Sequence, residues 1–113
     1  MVSEFSKNVI DLIKNIPKSK VLTYGRIAKL AGNPQAARQV SWILHSSTHK
    51  YNLPWHRVIN SKGLISLKSE SEKQDQKFLL LKEGVNFCGE YQIDLVNSMW
   101  NIESIDKIKE DIK

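Results

Sequence analysis

Residues 21–47 read VLTYGRIAKLAGNPQAARQVSWILHSS, a run divided by Gly32, Asn33 and Pro34 into two helical patterns. Thr23 is a residue type that caps helix N-termini, Ile27, Ala28 and Leu30 supply an apolar stripe, and Gly32 suits the left-handed position that ends a helix. Asn33 is then predicted to cap a second helix with Pro34 at its first position, where a missing N–H costs nothing. Within that second helix Ala37, Val40 and Leu44 share one face. Arg38, Ser41, Trp42 and His45, spaced i, i+3, i+4 and i+7, share another. The first face is expected to be core and the second to be free for contact, giving a helix, a tight turn and a second helix. That arrangement is a common packing solution and by itself only opens the question of nucleic-acid binding.

Upstream, Phe5, Val9, Leu12 and Ile16 recur at i, i+4, i+7 and i+11, the buried stripe of an amphipathic helix stopped by Pro17. Downstream, WHRVINSKGLISL alternates β-branched residues with turn formers. Ser61, Lys62 and Gly63 are expected to close a hairpin between strands near Val58–Ile59 and Leu64–Ile65, forming a small wing. SEKQDQKFLLLKEG reads as a further helix with Ser71 as its cap, Phe78 and Leu81 pointing inward, and Gly84 as its stop. The remainder holds Tyr91, Ile93 and Leu95 in a short strand or loop. The expected organisation is one domain over residues 1–100 and a charged, flexible tail over residues 101–113. The fold class is mainly α with a small β wing, a winged helix-turn-helix.

With 113 residues, 41% of them hydrophobic, the chain is sized for one modest core. No run of about 18 apolar residues suggests a membrane span, and the N-terminal stretch is amphipathic and acid-bearing, unlike a secretory signal. Cys88 is the single cysteine, which excludes an internal disulfide framework and a multi-cysteine zinc site and suits a reducing compartment. The net charge of +5 is unevenly distributed. Residues 1–66 hold ten Lys or Arg against two acids, or +8, whereas residues 67–113 hold seven against ten, or −3. A basic first half suggests a polyanion-facing side, since each cation that neutralises a phosphate releases a condensed counterion. A lysine-rich solvated surface is the plain alternative.

The runs IPKSKVLTYGRIAKLAGNPQAARQV, PWHRVINSKG and LLKEG, in that order, resemble the DNA-binding domain of O6-alkylguanine-DNA alkyltransferases over residues 5–84. That family carries Pro-Cys-His-Arg-Val, whose cysteine accepts the alkyl group and is consumed. Trp55 stands at the cysteine position here. This looks like the alkyltransferase-like, non-reacting branch, whose C-terminal extension tends to end in a Met-Trp pair such as Met99-Trp100. The resemblance implies a protein that binds O6-alkylguanine in double-stranded DNA through the minor groove, flips the base into a pocket, transfers nothing, and hands the lesion to nucleotide excision repair proteins. It implies no catalytic residue, cofactor, metal or membrane partner, a monomer, and a location in the cytoplasm or nucleoid, or in the nucleus of a eukaryote.

By the same resemblance Arg38 matches the arginine that fills the hole left by the extruded base, a task suited to a planar, permanently charged guanidinium. Tyr24 matches the tyrosine that crowds the 3′ phosphate and rotates the backbone; a buried, hydrogen-bonded Tyr is the plainer reading. Thr23, Ala37, Gln39 and Ser41 correspond to the minor-groove surface, where little sequence preference follows from a degenerate edge pattern. The lesion pocket is assigned to Trp55, His56, Arg57, Val58, Ile59, Lys68 and Glu83. Trp55 offers an indole wall that cannot accept an alkyl group as a thiolate can. His56 and Glu83 match a proton relay with nothing left to activate, Arg57 anchors the loop, and main-chain groups from Trp55 through Ile59 are expected to meet the guanine edge.

Two departures accompany the match. Ser47 replaces an asparagine that braces the pocket loop in the reactive family, leaving that brace unassigned. LISLKSES replaces a glycine- and tyrosine-rich loop, which implies a roomier pocket tolerant of bulky adducts, with Lys68 contributing charge above the base. Cys88 has no histidine at helpful spacing and is expected to be a small buried or inert residue. A relocated-acceptor alkyltransferase and a winged-helix transcription regulator are the competing readings.

Overall fold

The structure is a computed structural model and describes residues 3–108. The elements run α1 (Glu4–Lys14), β1 (Leu22–Thr23), α2 (Tyr24–Ala31), α3 (Ala37–Tyr51), a single 3-10 turn (Trp55–Arg57), β2 (Val58–Ile59), α4 (Glu70–Lys82) and α5 (Leu95–Ser98). The mainly helical class with a small β element holds. No helix among the described residues is long and apolar enough to cross a membrane.

The local signals of the helix pair are realised. Thr23 Oγ1 accepts from the Arg26 backbone N–H, and Gly32 ends α2 at φ 114°, where a side chain would be strained. The start of α3 differs from the sequence expectation. Asn33 does not cap it, because its side-chain Oδ1 accepts from Gln35 N at 3.1 Å and folds residues 33–36 into a turn of their own. α3 therefore begins at Ala37, behind Ala36, which supplies no side-chain cap. Consequently Ala36, rather than Ala37, is buried with Val40 and Leu44. α1 likewise ends at Lys14, and Ile16 reaches the core from beyond the helix.

The hairpin is not formed. β2 pairs in parallel with β1, Leu22 opposite Val58 and Thr23 opposite Ile59, so α2 and α3 together form the crossover that a parallel pair requires. The turn over residues 60–63 is present, with Gly63 at φ 77°, but Leu64 bridges Gln92 and Ile65 N donates to Tyr91 O. The two-residue sheet divides the interior. Leu22 and Val58 join Val9, Leu12, Ile13, Ile27, Val40 and Leu44 in one cluster. Val21 and Ile59 join Ile65, Leu80, Val85 and Ile93 in a second. This is the strand's alternation expressed as two cores.

α4 faces opposite to expectation. Phe78 is 65% and Leu81 51% exposed, while Leu80 and Gln76 are buried, and Ser69 rather than Ser71 caps the helix. Gly84 ends it at φ 91° as predicted. Cys88 is exposed rather than buried. Part of the expected tail is docked: Ile102 and Ile108 are buried in the first cluster, and Ile102 O accepts from Arg26 Nη2 at 2.9 Å. Apolar side chains outweigh the charged composition of that stretch, while positions 109–113 lie outside the described residues.

Candidate nucleic-acid interface

The turn at residues 33–36 aims α3 so that its polar face lies beside the start of α2 and the 3-10 turn. Arg38, Ser41 and His45 are exposed on that face, separated by helical spacing from buried Val40 and Leu44. Among the described residues Arg38 makes no salt bridge or side-chain hydrogen bond, leaving its guanidinium available. Tyr24, the first residue of α2, turns its ring toward this face. Burial raises its phenol above 10.0, so the hydroxyl remains a proton donor.

Two adjoining hollows open here. The smaller, about 310 Å³, is lined by Tyr24, Ser41, Leu44, His45, Thr48, Trp55, Val58, Leu67 and Gln76. The larger, about 920 Å³, adds Ala37, Arg38 and Lys68, with Glu72 and Asp75 from α4. Trp55 is half-buried and walls both. An aromatic wall, aliphatic Leu44, Leu67 and Val58, and a few polar groups make a cavity suited to a flat, hydrogen-bonding guest.

Of the residues singled out from sequence, Tyr24, Ala37, Arg38, Ser41, Trp55, Val58 and Lys68 come together around these hollows. Thr23, Gln39, Ile59, His56, Arg57 and Glu83 do not line them. Thr23 is buried with its hydroxyl committed to the α2 cap, and Ile59 belongs to the second core cluster. Gln39 is exposed on another side of α3. Leu67, Thr48 and Gln76 were missed, whereas His45 lines both hollows from the α3 face expected to be free for contact. The helical period could have found Thr48, one turn before Tyr51 and next along from His45, whereas Leu67 and Gln76 reach the site only through tertiary packing.

His56, Arg57 and Glu83 form the rear support of the loop. Glu83 Oε2 meets Arg57 Nη2 at 2.6 Å and His56 Nε2 at 2.9 Å, and Arg57 Nε donates to Oε1 at 3.0 Å. Arg57 Nη1 also donates to Ile16 O at 2.8 Å, tying the loop to the end of α1. Burial pushes the Glu83 carboxyl up, but hydrogen bonds and charge from Arg57 and His56 outweigh it and hold the group down from 4.5 to about 2. Gln76 Nε2 donates to both His56 O and Val58 O at 3.1 Å. α4 thus braces the loop through Gln76. These carbonyls, expected to face a guanine edge, are each already accepting one bond, with a second lone pair remaining.

The helix pair, the polar face carrying Arg38 and the walled hollow define a class. The chain belongs to the family of the 6-O-methylguanine DNA methyltransferase DNA-binding domain, whose family model matches residues 4–85. It is 46% identical to the DNA base-flipping protein of Escherichia coli over 97 residues, 86% of this chain and 74% of that protein. It is 45% identical to alkyltransferase-like protein 1 of Schizosaccharomyces pombe over 107 residues, covering 88% and 96% of the two chains. Its fold is similar to the crystal structure of S. pombe Atl1 in complex with damaged DNA containing O6-carboxymethylguanine, with a TM-score of 0.76, 41% identity and the same coverage of 88% and 96%.

Proposed function

We propose that this protein recognises O6-alkylguanine in duplex DNA from the minor groove, extrudes the damaged base into the hollows beside Trp55, and releases it chemically unchanged. The observation that carries this reading is the placement of free Arg38 and donor Tyr24 at the rim of a cavity whose wall, at the family's acceptor position, is an indole. Extrusion must be repaid by contacts available only to the everted base. Arg38 fills the vacated stack, Tyr24 presses on the backbone, and Ala37 and Ser41 let α3 approach closely. Lys68 places a positive charge at the mouth, and the combined hollows accommodate adducts larger than methyl. A relative named for base flipping and a related structure holding O6-carboxymethylguanine DNA support the assignment.

No thiol lines the hollows, and Cys88 is exposed on the segment after α4, so nothing supports an acceptor at the site. His56 and Glu83 then serve as loop support rather than as a relay. Passing the lesion to nucleotide excision repair follows from family resemblance and is the outer part of the proposal. The test is affinity for one duplex with and without a single O6-methylguanine, together with incubation on methyl-labelled DNA. A lesion preference with no label on the protein is expected. Equal affinity for both duplexes overturns recognition, and retained label overturns the non-enzymatic reading.

A further inference from the structure

Trp42 stands 69% exposed on α3, one turn after Arg38. With Ser41 and His45 it encloses a hollow of about 210 Å³, and those two residues also line both larger hollows, so the indole continues the candidate DNA face. Packing does not explain it. The core side of α3 is made by Val40 and Leu44, and among the described residues Trp42 enters no aromatic pair or cation–π contact.

We infer that Trp42 is an apolar wedge for duplex DNA, pressing on sugars and base edges of the minor groove next to the extruded nucleotide. The inference rests on the function proposed above. Continuity points to the occupant, since Ser41 and His45 line this hollow and both hollows of the proposed lesion face, and the ten Lys or Arg against two acids over residues 1–66 suit a polyanion. Geometry identifies the action. An undeformed minor groove is about 6 Å wide and cannot receive a helix bearing an indole. Side chains of this kind enter by spreading the groove and partly unstacking a base step, and a groove already spread lowers the cost of rotating out the neighbouring base. Because Trp42 lies outside the two hollows, its contribution is indifferent to the adduct.

The experiment is 19F NMR on full-length protein carrying 5-fluorotryptophan at Trp42, Trp55 and Trp100, the signals assigned by single Trp→Phe changes. Unmodified duplex and duplex with one O6-methylguanine are titrated in parallel with affinity measurements on Trp42→Ala. The Trp42 signal is expected to shift with both duplexes, the Trp55 signal with the lesion only. Trp42→Ala should weaken both affinities about tenfold and leave their ratio unchanged. An unmoved Trp42 signal at saturation, or wild-type affinity of Trp42→Ala, overturns the wedge, and a Trp55 response in the same titration shows that lesion recognition survives it. A Trp42→Ala loss confined to the lesion duplex would also overturn it, as would a self-association abolished by that change, which would make a second copy the occupant.

Discussion

The loop over residues 55–59 has two sides that obey different rules. Its front, where Trp55 and Val58 face the hollows, is open, bordered by Arg38, which has no partner among the described residues, and the exposed Ser41 and His45. Its rear is tied together by Glu83, Arg57, His56 and Gln76 in a network whose charged side chains are 13% exposed, beside a separate hollow of about 710 Å³ that His56 and Arg57 help to line. His56, Arg57 and Glu83 belong to the rear, and Trp55 and Val58 to the front. The rear holds the loop in place, and the front is left free to engage a guest. Binding free energy can be concentrated on a ligand only when the groups that position its wall are already satisfied elsewhere.

Removing one partner from the rear network is expected to have the largest effect. Arg57→Ala leaves Glu83 partly buried with only His56 and the long Ser19 N–H contact, and Ile16 O without its donor, and should lower unfolding free energy by about 3 kcal/mol in urea denaturation. A change no greater than that of an exposed lysine would erase the distinction between the two sides. On the front, Arg38→Ala is expected to cost more than about tenfold in affinity for lesion duplex, about 1.4 kcal/mol, with unfolding free energy altered by less than about 0.5 kcal/mol. A shifted melting temperature with intact binding would reverse the assignment.

A further test is one of pH. Glu83 is held below its unfolded value, so its stabilisation is full above 4.5 and is lost as the pH falls through about 2. Unfolding midpoints should therefore decline across that window, by at most about 1.4 kcal/mol per pH unit from this group, and Glu83→Gln should flatten that part of the profile. A decline of equal steepness in the variant would place the acid sensitivity elsewhere.

How much of this was legible follows from the range of each signal. Thr23, Gly32 and Gly84 act within a few residues, and each does what local chemistry predicts. Asn33 misled because two local uses of one side chain compete, and the turn won over the cap. Gly63 was correctly placed in a turn, but turn chemistry does not name a strand's partner. In α4 the consecutive Phe78, Leu79, Leu80 and Leu81 leave the inward face undefined, since apolar side chains point in every direction.

The sequence by itself determined the helix pair, the basic bias of the first half, the polar face carrying Arg38, and the indole at position 55. These depend on residue identity and short-range periodicity. The tertiary structure alone decided that β2 lies parallel to β1, that Gln76 braces the loop, and that His56, Arg57 and Glu83 stand behind it. Each joins positions distant in the chain, and such pairings are selected by the packing free energy of the whole fold rather than by any local preference.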